Sequence, residues 1–492
     1  MTIGLLLAAS AFVAETALEM KTSPVSDPAP VPAVEKTKVM LFFDTEDYTC
    51  DRSNDAIRDI ANLLTEEGVR GNFNIVGFLA LRLAELGRQD VIAALKPHVI
   101  GTQTLYHSRH PNIAELGDDP SYERAYRRTM ADEAKGLGML DAAFGENRCV
   151  FQCPPGNSVS AAACEVYYDL GILFSAGYGF SGPEANTSTY THMVARPGRT
   201  TLGLWYFNQY HLPYSLWFGL ESLMPAADRP CPAFGPMLDR IAEHDFMGLY
   251  MHPHMAVKKR HWDGPNYARG NNVRWREWIQ VEDRDPADTK LFYERLRAFV
   301  RALKADGRIE LTDVEALKAA LKPRTAITAK EIPAIRAALL RDFNCIREPA
   351  SWCVADVFQA AVCLLRGEAP SVPGKVYGFL SRPKGVTAPT TVSAADLKAA
   401  ASRIDLGTFI PSELDVGGVR IGPADFLFAA LEVLETGATS VRVVPREQLG
   451  SFKEAPGIET MRLSGSWIHP DSFKDAYVSE RLRLQLWTLR IE

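Results

Sequence analysis

Three short clusters carry the side chains that could do chemistry. The first is Asp44-Thr45-Glu46-Asp47, with three acids in four residues. Carboxylates this close repel one another, and burying them is costly without a cation or strong donors nearby. One acid of such a set can bind a metal ion while another stays free as a base. The alternative is a solvated acidic loop that caps the next helix. The second cluster is His107-Ser108-Arg109-His110. Two histidines three apart on a helical turn can face one direction, and neutral imidazole is the commonest nitrogen ligand for zinc. A catalytic zinc takes three protein ligands and keeps one position open, which two histidines and one carboxylate satisfy. Alternatively, one histidine caps the turn and the other is exposed. The third cluster is Tyr250-Met251-His252-Pro253-His254. A histidine there can protonate a leaving group, because its ordinary pKa suits acid–base work near neutrality. It can equally be a structural histidine in a proline turn.

Each cluster follows a segment that reads as a strand. Lys38–Asp44 is an apolar run ending in acid, the pattern of a buried strand that delivers side chains at its C-terminal end. Ser53–Glu67 has Ile57, Ile60, Ala61 and Leu64 at helical period. A second strand is predicted within Gly68–Gly77, one helix over Leu81–Leu95 and a strand at His98–Gly101. The alternation continues with strands at Cys149–Cys153, Ile172–Ala176 and Phe246–Met251, and helices at Ser160–Leu170, Pro236–Glu243 and Ala287–Ala305. Thr312–Leu317 supplies a closing turn and helix. Alternating strands and helices predict an α/β fold with a parallel sheet or barrel. The active loops of such barrels lie at the C-terminal strand ends.

A chain of 492 residues holds two or three domains at roughly 100–200 residues each. The composition divides it into residues 1–37, 38–322 and 323–492. In the first stretch the apolar run Ile3–Ala14 is followed by Pro-, Ala- and Ser-rich sequence. That order fits a signal peptide and a linker, hence a secreted, periplasmic or cell-surface protein, although a basic n-region is missing. The run falls short of the about 20 residues that span a bilayer, so no integral membrane segment is expected. The last stretch is predicted to be mostly helical, with helices over Ala329–Asp342, Ala355–Arg366, Ala394–Ile404 and Pro423–Glu435. A net charge of −6 lacks the dense basic footprint of a nucleic-acid binder. Eight cysteines allow disulfides in an oxidising compartment, or buried thiols.

Together, in this order and spacing, the three clusters resemble the NodB-homology polysaccharide deacetylases (carbohydrate esterase family 4). The resemblance covers roughly residues 38–322. It includes Gly68–Gly77 as the second strand, His98–Gly101 before the histidine motif, Cys153-Pro154-Pro155-Gly156 as the third motif, and Thr312–Leu317 as the ending. It implies a distorted (β/α) deacetylase-type barrel that uses a divalent metal, usually zinc, to hydrolyse acetyl or related acyl groups on amino sugars. A polysaccharide or cell-wall glycan would then be the partner. By the same resemblance Asp44 is the catalytic base and His252 the general acid. Glu46, with Asp47 as competitor, is the metal carboxylate, and His107 and His110 are the metal imidazoles. Pro155, in the third motif, would contact substrate. Apart from the resemblance, the aromatic stretch with Trp262, Asp263 and Asn266 offers faces on which a sugar can stack; the alternative is core packing at the barrel edge.

Three departures bear on activity. Asp44-Thr45-Glu46-Asp47 replaces the usual acidic pair. Alignment on Gly101 puts Gln103 and His107 at the customary histidine positions. Gln152 stands where an arginine usually steadies the base. Two rival readings follow: a catalytically decayed barrel that binds carbohydrate, and a metal-dependent amidase acting on a small non-sugar substrate. Near the end, Ala394–Gly437 resembles pseudomurein-binding repeats through Pro411, Gly417-Gly418 and Asp425-Phe426-Leu427, which implies a wall- or glycan-binding accessory role. An interaction or dimerisation domain without a ligand is the alternative.

Overall fold

The computed structural model describes residues 36–176, 204–212, 220–224, 231–244, 246–321, 323–372, 374–452 and 462–491. The expected leader, apart from its last two residues, lies outside them. The strands are β1 (Thr37–Thr45), β2 (Asn72–Ile75), β3 (Val99–Thr102), β4 (Cys149–Gln152), β5 (Phe174–Ala176), β6 (Leu204–Tyr206), β7 (Gln209–Leu212), β8 (Phe246–Met251), β9 (Ile309–Leu311), β10 (Thr390–Ser393), β11 (Leu414–Val416), β12 (Val419–Ile421), β13 (Ser440–Val443) and β14 (Arg490–Ile491). The main sheet runs β14-β6-β7-β5-β4-β3-β2-β1-β8, with β9 also on β1. Pairing is parallel from β8 through to β7, and antiparallel only at β6–β7 and β6–β14. The fold is therefore α/β, a largely parallel half-barrel as the alternating elements predict. Parallel strands are buried on both faces, and β1 is buried along nearly its whole length.

Between the strands lie helices α1 (Asp51–Glu66), α2 (Gly77–Glu85), α3 (Gln89–Leu95), α4 (Ile113–Gly117) and α5 (Tyr122–Phe144). The single helix predicted over Leu81–Leu95 is two. Gly87 adopts φ +68°, a left-handed conformation that ends α2 and reverses the chain before α3. The long helix α5 is not among the elements the sequence predicts. Its buried stripe is Ala125, Thr129, Glu133, Gly136, Leu140 and Phe144, which keeps helical spacing but mixes small and polar types, so hydrophobic periodicity does not reveal it. A Cβ built on Gly77 would lie 2.7 Å from Gly136 Cα, so the two glycines let α2 and α5 approach closely.

Beyond residue 322 come the helices Ile332–Arg341, Val354–Arg366, Ala394–Ala401, Pro423–Thr436 and Val478–Arg483, with two small antiparallel sheets, β10–β13 and β11–β12. This region is helical as predicted, yet Lys36–Glu492 forms one compact unit. Trp487, Phe379 and Phe426 share a core with Val159, Cys164 and Phe207, and β14 returns to pair with β6. No described helix is long and apolar enough to cross a membrane.

His98, just before β3, joins three segments and is fully buried. Its Nδ1 accepts from Gly71 N–H (3.1 Å), so Nε2 carries the proton and donates to Ala61 O (2.9 Å). Burial lowers its pKa from 6.5 to about 4. As pH falls from 6.5 to 4 the unfolded chain takes up a proton that the folded chain refuses. Stability is lost across that window, by up to about 3 kcal/mol. Melting temperature measured against pH should show this slope, and His98→Gln should flatten it; an unchanged slope in the variant would contradict the assignment.

Candidate active site

Because β8, β1, β2, β3 and β4 are parallel, their C-terminal ends share one rim of the sheet. Asp44 lies in register with Asn74, and Asn74 Nδ2 donates to Asp44 Oδ1 at 2.5 Å. Gln103 follows β3, Gln152 ends β4, and His252 follows β8. Gln152 donates to Ser175 Oγ (2.7 Å) and Gln209 Oε1 (3.1 Å), within the sheet.

Glu46 is the hub of the rim, and its side chain is buried. Its Oε2 lies 2.7 Å from His107 Nε2, and its Oε1 accepts from Trp262 Nε1 at 3.0 Å. Burial alone would raise its pKa. The imidazoles of His107, His252 and His254 outweigh burial and hold the carboxyl well below the usual range. The loop that presents His107 is strained, since Thr104 (φ 66°) and His107 (φ 59°) are both left-handed. Such conformations persist only where surrounding contacts over-determine them, and they gather at functional sites. Here Thr104 Oγ1 accepts from His107 N–H. Ser108 Oγ donates to Asp263 Oδ2 at 2.6 Å and sits 2.6 Å from His107 Nδ1, so Nδ1–H must donate to Ser108. Nε2 then meets Glu46 in one of two ways: as an imidazolium, or as a lone pair sharing a cation with the carboxylate.

A second acid–base pair stands beside the first. Glu221 Oε1 accepts both the Nδ1–H (2.7 Å) and the backbone N–H (2.9 Å) of His252, whose Nε2 is 3.5 Å from Asp44 Oδ2. Burial opposes charging His252, but Glu46, Glu221 and Asp44 push its pKa up to about 10. His254 is buried with neither ring nitrogen hydrogen-bonded among the described residues, and its Nδ1 is 3.8 Å from Glu46 Oε1. Burial lowers its pKa. His261 packs edge-on against His252 and His254.

These groups surround a cavity of about 740 Å³ whose wall includes Asp44, Glu46, Gln103, His107, His252 and Asp263. The residues suit a divalent cation. Ligand atoms of Glu46, His107 and Asp263 all lie within 4.8 Å of one another, as do those of Glu46, His254 and His261. Gln103 Oε1, buried in the same wall, has no hydrogen-bond partner among the described residues.

Two expected ligands point elsewhere. Asp47 accepts from Thr49 N–H (2.9 Å), Thr49 Oγ1 (2.6 Å) and Ser53 Oγ (2.5 Å), so it caps the approach to α1 and leaves Glu46 as the carboxylate on the cavity. His110 is held by Glu115 Oε2 (2.6 Å) and Tyr267 O (2.8 Å). The left-handed backbone at His107 breaks the helical turn that would have put both histidines on one face. Asn266 is spent on the Trp262 and Ile279 backbone, and Trp262 is buried behind Glu46. Pro154 and Gly156, rather than Pro155, line the cavity, and Asp263 reaches it. Glu221 and His261 stand outside any motif, and single residues of that kind leave no sequence signal. Trp467, from the far end of the chain, also forms part of the wall.

No protein-family model matches this chain, and no curated protein matches it. The likeness of Ala394–Gly437 to pseudomurein-binding repeats thus finds no support. Among solved structures, a provisional polysaccharide deacetylase from Mycobacterium smegmatis is 14% identical over 61% of this chain and 97% of its own, with TM-score 0.37. A carbohydrate esterase family 4 pseudoenzyme from Bacillus anthracis is 14% identical over 59% and 70%, with TM-score 0.32. A 4-alpha-glucanotransferase from Thermococcus litoralis is 11% identical over 62% and 46%, with TM-score 0.40. Scores this low carry nothing about activity.

His110→Ala should lower stability by about 1–3 kcal/mol, since it strips partners from Glu115 and the Tyr267 carbonyl. Bound-cation content by elemental analysis should stay at the wild-type value; its loss would restore His110 as a ligand.

Proposed function

We propose that this protein is a metal-dependent hydrolase that removes acetyl or related acyl groups from amino sugars of a glycan. One observation carries the reading. A buried carboxylate–imidazole pair, Glu46–His107, and a separate acid–base pair, Asp44–His252, open on the same cavity at the rim of a parallel sheet. Asp44 is held by Asn74 and has an oxygen facing His252, so it serves as the base that takes a proton from water. The water oxygen adds to the acyl carbon, the C–N bond breaks, and His252 Nε2–H gives its proton to the departing amine. The products are the carboxylate and the free amino sugar. Glu221 fixes the His252 ring and favours its protonated form, which matches the role of an acid. A divalent cation held at Glu46 and His107 would polarise the acyl carbonyl and offset charge on its oxygen. A cavity of this size suits a sugar unit, and Trp467 and Tyr250 in its wall offer aromatic faces to a sugar ring.

Gln103 and Gln152 favour a second reading, a barrel that binds glycan without cutting it. Acetate release from N-acetyl chito-oligosaccharides, with zinc or manganese supplied, separates the two. The hydrolase reading expects release by the wild-type chain. It expects a loss of at least about 100-fold in Asp44→Asn and in His252→Ala, with cation content retained, since each contributes general acid–base catalysis. Oligosaccharide binding without acetate release would favour the second reading.

A further inference from the structure

The metal-dependent reading above does not say which residue completes the cation site, and the resemblance expects a second imidazole. We propose that the site carries a single imidazole: His107 binds with the carboxylates of Glu46 and Asp263, and Gln103 lines the same cavity. Four observations lead here. Ligand atoms of Glu46, His107 and Asp263 lie within 4.8 Å of one another, and all three side chains are buried. Two buried carboxylates that close are costly without a cation between them. All three residues line the cavity, which leaves room for the open position that a catalytic metal needs. Gln103 Oε1 is buried in that wall without a hydrogen-bond partner among the described residues.

Three other sets of ligand atoms converge. Asp44 with Glu46 and His252, and Glu221 with His252 and His261, would both occupy His252, the acid of the proposed reaction, and Glu46 with His254 and His261 fits less well. His254 is absent from the cavity wall, so a cation there would be set back from the space a substrate can enter. The Ser108 hydroxyl bridges His107 Nδ1 and Asp263 Oδ2, fixing both groups at once. Partners of this kind orient metal ligands and set the tautomer of a ligating histidine.

The donor set has a consequence for selectivity. Carboxylate and amide oxygens suit harder ions such as manganese, whereas added imidazole favours zinc. The site therefore discriminates less between zinc and manganese than a two-imidazole site would. Gln103 stands four residues before His107, at the position where an imidazole would restore the second nitrogen.

Calorimetric titration with MnCl2 and with ZnCl2, and the manganese spin-resonance signal, test this without any substrate. Asp263→Asn is expected to weaken both ions at least tenfold. Gln103→His is expected to raise the zinc-to-manganese affinity ratio at least tenfold. His261→Ala is expected to leave both affinities within about twofold. Unchanged affinities in Asp263→Asn, an unchanged ratio in Gln103→His, or loss of both ions in His261→Ala would each overturn the proposal. Thermal melts accompany each titration, and Gln103→His keeps the proposal falsifiable if Asp263→Asn fails to fold. Failure of the wild-type chain to bind either ion would remove the metal-dependent reading as well; intact binding in Asp263→Asn would remove only this proposal.

Discussion

The buried carboxylate of Glu46 is the constraint on which the rest of the site depends. An isolated carboxylate at 2% exposure is strongly disfavoured. This one is tolerated because His107, His252 and His254 gather around it and Trp262 donates to it. The four partners arrive from three parts of the chain. His107 comes from the strained loop after β3, His252 and His254 from the turn after β8, and Trp262 from the segment beyond. The parallel sheet makes this convergence possible, since it places the ends of distant strands side by side. On the function proposed above, the same crowding separates a carboxylate–imidazole pair for the cation from an Asp44–His252 pair for proton transfer.

The C-terminal region belongs to this arrangement. Its final strand β14 closes on β6, its helices share a core with Val159 and Phe207, and Trp467 stands in the wall of the cavity. The Trp467 segment is anchored to the rim. Its carbonyl accepts from Arg269 N–H at 2.9 Å, and His469 contacts Asn112 and Ser158. The late part of the chain thus shapes the cavity as well as adding mass.

Much of this was legible in the sequence where one kind of signal sufficed. β1 and β8 are apolar runs; Asp44 and Glu46 stand at the end of the first and His252 directly after the second, and the fold brings them to one cavity wall with His107, from the loop after β3. Where an inference needed local geometry it failed. His110 looked like a partner of His107 only if the turn were helical, and positive φ at His107 removes that assumption. Asp47 and Glu46 could not be told apart by type; the hydroxyls of Ser53 and Thr49 claim Asp47. Glu221 is positioned by tertiary contact alone, and α5 buries a stripe too small and polar to register as a core face.

Glu46→Gln tests the central claim most directly, because it keeps the shape of the side chain and removes its charge. The variant, checked for folding by circular dichroism, should lose both bound divalent cation and acetate release from N-acetyl chito-oligosaccharide. A folded variant that keeps its cation and its turnover would show that Glu46 does not organise the site.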